Sequence, residues 1–189
     1  MKKLVLAAAV VLLAGCASPK QEQINFAPQA ATSAAKIVEG KTMSLSSQDV
    51  RTAQYVALMD SGRSNITPIH TRQNVRIGIE NAIAQQFSSQ GYKVTVNSPN
   101  AVKIEVQEAL VSVKHTVMEN DMAANVVVEL TVENAQGKLV KTYTGKANRS
   151  GLMSASNSDI EDMLNHTVNL VLKEISNDTE LVDYMKERF

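Results

Sequence analysis

Apolar side chains recur along this chain with two different periods, and the switches between them mark its elements. Met43 and Leu45 share one face of a strand over Thr42 to Ser46, and Tyr55, Val56, Leu58 and Met59 suggest a second, shorter one within Gln54 to Asp60. Ser61-Gly62-Arg63-Ser64-Asn65 reads as a turn, and Ile66 and Ile69 bracket Pro68 in a short extended stretch. The period then lengthens. Val75, Ile79, Ala82, Ile83 and Phe87 lie on one helical face, with Thr71 as candidate N-cap and Gly91 as the stop. Gly78 inside that helix costs about 1 kcal/mol against Ala, which points to a close approach to the sheet.

Alternation returns at Tyr92, Val94 and Val96, and Ser98-Pro99-Asn100 turns the chain. Val102, Ile104 and Val106 share one parity, whereas Val111, Val113 and Val117 share the other, so a bulge or bend is expected near Ala109 and Leu110. Glu119-Asn120-Asp121 is the expected hairpin turn into a long strand carrying Ala124, Val126, Val128, Leu130 and Val132. Gln136-Gly137 turns into another over Leu139 to Ala147, which includes Tyr143. After a polar loop, Ser158 and Glu161 form a capping-box pattern opening a helix with Ile160, Met163, Leu164, Val168, Val171 and Ile175 inside. Asn177-Asp178-Thr179 breaks it, and Leu181, Met185 and Phe189 mark a last turn or two. The pattern predicts an α+β fold: a largely antiparallel β-sheet (a meander) with two longer α-helices packed on one face and a short C-terminal helix. Because the first helix lies between strands, a right-handed crossover joining two parallel strands is also open.

The amino terminus follows a different logic. Met1-Lys2-Lys3 is a short positive region, and Leu4 to Ala14 is an unbroken apolar run of eleven residues. A helix needs about 20 to span a bilayer. The run has the proportions of a secretory signal segment, so residues 1–15 are set apart from the fold. Leu13-Ala14-Gly15-Cys16 then matches the bacterial lipobox in all four positions. Small residues let the backbone enter a peptidase cleft, and the Cys16 thiol is the nucleophile that takes up a diacylglyceryl group. The likeness to lipoprotein precursors implies cleavage before Cys16 and acylation of its new amino group. The plain alternative is a signal peptide with a chance or buried Cys. Three acyl chains would give an anchor on the order of tens of kcal/mol. By the sorting pattern of enterobacteria-like cells, Ala17 after the Cys, rather than Asp, implies the inner leaflet of the outer membrane, with the inner membrane as the alternative.

Residues 16–40 are rich in Ala, Gln, Ser and Pro and read as a lipidated Cys followed by a flexible tether. As a random coil it would span roughly 27 Å, and fully stretched about 80 Å. Ile24 and Phe26 stand on one face before Pro28, so docking of this stretch on the domain is equally open. Residues 41–189 have the size of one domain.

Composition narrows the function by exclusion. Lys plus Arg and Asp plus Glu are each 19, and removing Lys2 and Lys3 leaves a formal −2. That balance argues against a nucleic-acid partner and leaves the lipid alone to hold the body to a membrane. Aromatics make up 4% with no Trp, and one Cys excludes an intrachain disulfide. Neither a phosphate loop nor a GxSxG elbow or HExxH pattern occurs. His70, His115 and His166 are scattered, so no metal or other cofactor is expected. Glu119 with Asp121, and Asp159 with Glu161 and Asp162, suit a hairpin tip and a helix first turn better than acid–base chemistry. Met118, Met122, Met153, Met163 and Met185 could line a groove or simply fill the core. The loop from Ser150 to Ser158 carries Leu152 and Met153, adjacent apolar residues that must either tuck in or be offered to a partner.

Several stretches resemble the YajG-type bacterial lipoproteins, a family of uncharacterised function. They are Ile24-Asn25-Phe26-Ala27-Pro28, Val75-Arg76, Gln86 through Gly91-Tyr92-Lys93-Val94, Ala155-Ser156-Asn157 and Asp178-Thr179. The resemblance implies a periplasm-facing envelope lipoprotein and supplies no catalytic residues. Three functions follow in order of support. The first is a non-enzymatic module that meets another envelope protein through a sheet edge or the Ser150–Ser158 loop. The second is an accessory in lipid or lipopolysaccharide handling, with a lipid ligand in an apolar groove. The third is an envelope-glycan hydrolase.

Overall fold

The computed structural model describes residues 22–62 and 65–189. In chain order its elements are β1 (Gln23–Ile24), β2 (Thr42–Asp49), β3 (Ala57–Asp60), β4 (Ile66–Thr71), α1 (Val75–Ser89), β5 (Lys93–Val94), β6 (Ala101–His115), β7 (Glu119–Asn134), β8 (Gly137–Leu152), α2 (Asn157–Asn177) and α3 (Thr179–Arg188).

β6 organises the sheet. One of its edges pairs antiparallel with β7, and β7 pairs antiparallel with β8. Its other edge receives two strands end to end, both parallel to it. Ser44 to Asp49 of β2 lies against Ala101 to Val106, and Ala57 to Asp60 of β3 lies against Val111 to Lys114. β4 is antiparallel to β3, β1 is parallel to β4, and β5 is parallel to β2. The result is a mixed sheet curled into a half-barrel, not the largely antiparallel meander the pattern suggested. The α+β class and the helices stand; the strand directions do not. Alternation such as Met43 and Leu45 reports a buried face and carries no information about whether the neighbouring strand runs with it or against it. α1 connects β4 to β5, which the pairings orient in opposite directions, so it is not a parallel crossover.

A bulge interrupts β6 between Val106 and Glu108, two residues before the expected place. It restores inward parity for Ala109, Val111 and Val113, all buried, and it sits where β2 ends and β3 has not begun. Both long helices cover the inner face, α2 over β6 to β8 and α1 over β2. Between them lies fully buried Gln86, whose amide, oriented to donate to the Leu172 carbonyl and accept from the Ser176 N–H, ties α1 to α2. Asn74, not Thr71, caps α1, and the capping box of α2 is Ser156 with Asp159, two residues ahead of the expected pair.

The segment before β2 is packed. Ile24, Phe26 and Val38 are buried in the core. Alternate backbone N–H groups are caught by side chains one helical turn apart on α2: Asn25 by Glu161 at 2.8 Å, Ala27 by Asn165 at 2.9 Å and Gln29 by Asn169 at 2.8 Å. The Phe26 N–H donates to Gln73 at 2.8 Å from the other side. An extended strand repeats every ~6.6 Å over two residues and a helix every ~6 Å over four, so the two ladders stay in register for three rungs. Of the two readings of this stretch, docking is the one realised over residues 22–40.

Candidate functional site

The two apolar residues singled out in the Ser150–Ser158 loop are offered, not tucked in: Leu152 is 81% and Met153 79% exposed. Leu152 ends β8 opposite Glu119, the first residue of β7. The β6–β7 turn is therefore Thr116-Val117-Met118, closed by the Thr116 N–H donating to the Glu119 carbonyl at 2.8 Å. Glu119-Asn120-Asp121, expected as the turn, already belongs to β7. Val117 and Met118 thus stand at the tip, beside Leu152 and Met153. Of the methionines weighed together, Met122, Met163 and Met185 are core, and only Met118 and Met153 are at the surface.

A specific lock joins the two turns. The Met153 N–H donates to the Met118 carbonyl at 3.0 Å, and the Met153 carbonyl accepts from Asn120 Nδ2 at 2.7 Å. Asn120 is buried, and a Cβ on Gly151 would come within 3.1 Å of its amide. Met153 pays for this with φ +67°, the left-handed region that a side chain rarely adopts. Beside it His115 Nε2 accepts the Ala155 N–H at 3.0 Å, so this His serves the backbone. The end is a braced apolar surface. Sequence reasoning read Val117 as more strand and weighed Met118 only as groove lining or core filler, because apolar residues are not expected in a turn; the signal was the Thr116/Glu119 pair flanking them.

A second feature is the break between β2 and β3. Arg51, Thr52, Tyr55, Gln107 and Glu108 help line an open cavity of about 270 Å³ there. The Arg51 guanidinium makes a two-pronged pair with Asp49, Nε–Oδ1 2.9 Å and Nη2–Oδ2 2.8 Å, with 5% of the Arg51 side chain exposed. The Arg51 hydrogen bond holds the Asp49 carboxyl below its usual range against the opposing effect of burial. Nη1 of Arg51 has no hydrogen-bond partner among the described residues. Since Asp49 already balances the charge and Glu108 stands close by, the cleft does not present a net positive site.

Three of the other candidate carboxylates are engaged structurally. Asp121 accepts from Ser150 at 2.7 Å, and Glu161 holds Asn25. Asp159 caps α2 through Ser156 and pairs with Arg149 at 2.9 Å; the Ser156 side-chain hydrogen bond is the main reason its carboxyl lies below the usual range. Among the described residues there is no group of three or more His, Cys, Asp and Glu placed to hold a metal ion, and no helix long and apolar enough to cross a membrane. Leu13, Ala14, Gly15 and Cys16 lie outside the described residues.

Comparison with known proteins gives the same picture of kinship without function. A family profile described as "Uncharacterized lipoprotein" matches residues 28–186. The uncharacterized lipoprotein YajG of Escherichia coli strain K12 is 26% identical over 185 residues, covering 95% of this chain and 93% of the relative. Its counterpart in E. coli O6:H1 matches with the same figures. Among solved structures, protein XCC0632 from Xanthomonas campestris superposes with a TM-score of 0.59 at 11% identity, over 89% of this chain and 98% of that one. An uncharacterized protein gives 0.51 at 6% identity, over 81% and 99%. At such identities these two share the fold and nothing more.

Proposed function

Because the chain belongs to the YajG-type family of uncharacterised lipoproteins, we propose that it is a non-enzymatic module of the bacterial envelope, anchored through an acylated Cys16 and acting through its surfaces. Its body would face the periplasm from the inner leaflet of the outer membrane, as Ala17 suggests. The observation that carries the surface reading is the braced apolar end. Four large apolar side chains are displayed on a backbone locked by Asn120, at the cost of a left-handed Met153. That is the build of a contact surface. Asp121, Asp159, Glu161 and His115, which could have served chemistry, are occupied in a cap, an ion pair and hydrogen bonds to backbone and Ser150.

The sheet edge is the weaker contact candidate. β8 pairs only with β7 among the described residues, and it carries Lys138, Lys141, Lys146 and Arg149 without an acidic residue. Basic side chains along an edge discourage another strand from joining it. An apolar groove for a lipid ligand also lacks support, because Phe87, Ile104, Leu130 and Leu164 fill the space between helices and sheet.

The test is fractionation of cells producing wild-type protein or Cys16→Ser, with a clickable fatty acid in the medium. Wild type is expected in the membrane fraction bearing the label, and the variant in neither. A Cys16→Ser protein that still sediments with membranes would refute the anchor.

A further inference from the structure

The direction in which the chain leaves the sheet toward Cys16 carries a consequence for orientation. β1 runs parallel to β4, with Gln23 opposite His70 and Ile24 opposite Thr71, and the His70 N–H donates to the Glu22 carbonyl at 3.2 Å. β4 begins at Ile66, in the rung that contains Asp60 and Lys114. Followed backward from Ile24, the chain therefore heads toward the Ile66 end of the sheet, the end where the β6–β7 turn and the β8–α2 turn meet.

Length turns direction into a constraint. Cys16 precedes Glu22 by six residues, a reach of at most ~20 Å. The rungs from Ile69, level with Glu22, to Ile66 take up ~10 Å of it, and the turn at Val117 projects ~10 Å beyond the Lys114 rung. At full stretch, Cys16 comes only about level with the tip. The opposite end of the sheet, at the Asn134–Gly137 turn, is some 30 Å or more from the rung of Glu22 and lies out of reach. A bilayer that holds Cys16 can then lie against the tip end but not against the opposite one.

That end is also where the apolar surface is concentrated. Of the six most exposed large hydrophobic residues described, five are Val117 at 102%, Leu152 at 81%, Met153 at 79%, Met118 at 76% and Ile66 at 60%. The charges around them, Asp60, Lys114, Glu119, Asp121 and Arg149, are of both signs, so headgroup attraction is not what would seat it. Apolar burial would.

We propose that the two turns at this end dip into the headgroup–acyl boundary of the bilayer that carries the Cys16 lipid, so that the domain stands upright with its Asn134–Gly137 turn distal. This inference rests on the anchor proposed above. The occupant it names is the lipid surface, not a protein.

The acylated full-length protein in vesicles of phosphatidylethanolamine and phosphatidylglycerol tests it. Acylation consumes the native thiol, so Met118→Cys, Leu152→Cys and Ala135→Cys each offer one labelling site for a polarity-sensitive dye. Nitroxide-bearing lipids are expected to quench the dyes at 118 and 152 several-fold more than the dye at 135, with blue-shifted emission at the first two. Protein that floats with vesicles while all three dyes are quenched equally weakly overturns the orientation and leaves the anchor standing; the tip then faces a protein or water. Protein that carries no acyl chain and does not float overturns the anchor and this inference together. Two tip positions on separate turns guard against one label disturbing its own turn.

Discussion

A Cβ placed on Gly78 would sit 2.7 Å from the ring of Phe26, a residue 52 positions earlier in the chain. The glycine that the helical pattern marked as a close approach is indeed one, but it receives the segment before β2, not the sheet. Gly78→Ala should gain about 1 kcal/mol of helix propensity and lose more to the clash, a net loss of about 1 kcal/mol. Phe26→Ala should cost 3–5 kcal/mol by the usual scale for a buried ring, about 4 in this case. In the double variant the alanine at 78 no longer meets a ring, so its cost should vanish or reverse. Urea denaturation of the four proteins reads this coupling; additive costs would mean that Phe26 does not pack on Gly78.

Met153→Gly should stabilise the domain by about 1 kcal/mol, because glycine occupies φ +67° without the side-chain clash. The same change removes one of the apolar side chains at the tip, so vesicle quenching of a dye at position 152 should weaken. A thermal melt and the vesicle measurement together check it. Stability and surface contact should move in opposite directions.

The ion pair at the sheet break makes an asymmetric prediction. Asp49→Ala leaves the nearly buried Arg51 guanidinium without its carboxylate and should cost about 3 kcal/mol. Arg51→Met with Asp49→Ala should cost less than Asp49→Ala by itself, since neither charge is left unpaired. Equal losses in equilibrium unfolding would show that the pair is solvated after all.

Acid should unfold this protein through a few identifiable carboxyls. Burial alone would raise Asp178, but the Leu181 N–H, the Tyr143 hydroxyl at 2.8 Å and Lys141 at 3.0 Å outweigh it and hold the group below its ordinary value of 3.8. Asp49 and Asp159 are lowered as well. A carboxyl depressed in the folded state binds its proton more readily in the unfolded one, so its contribution is complete above 3.8 and is lost as pH falls through the lower folded value. Stability should therefore be flat from pH 7 to about 5 and decline below 4. Asp178→Asn should flatten part of that decline while lowering stability at pH 7. An unchanged acid limb in this variant would remove Asp178 from the account.

What could be read in the residues was whatever one element decides by itself. The buried stripe of α1 from Val75 to Phe87, that of α2 from Ile160 to Ile175 and the parity switch in β6 are all as the pattern implied, because each reflects one surface facing the core. Strand direction was not legible, since Leu45 pairs with Val102 only through a fold that brings residues 57 positions apart together. Docking of residues 22–40 was half legible. Ile24 and Phe26 were visible as a face, yet its receivers, Glu161, Asn165 and Asn169, look like an ordinary solvated helix stripe until an extended segment is laid along them. At the tip, Leu152 and Met153 were found and Val117 was misread as strand, because a turn that displays apolar residues breaks the rule by which turns are recognised.

The central claim, that a lipid on Cys16 fixes this body at a membrane, is met most directly by the mass of the mature amino terminus. Digestion of protein purified from membranes should yield a peptide beginning at Cys16 that carries a diacylglyceryl group on sulfur and an acyl chain on nitrogen, with no peptide containing Gly15. A peptide running through Ala14, Gly15 and an unmodified Cys16 thiol would contradict it.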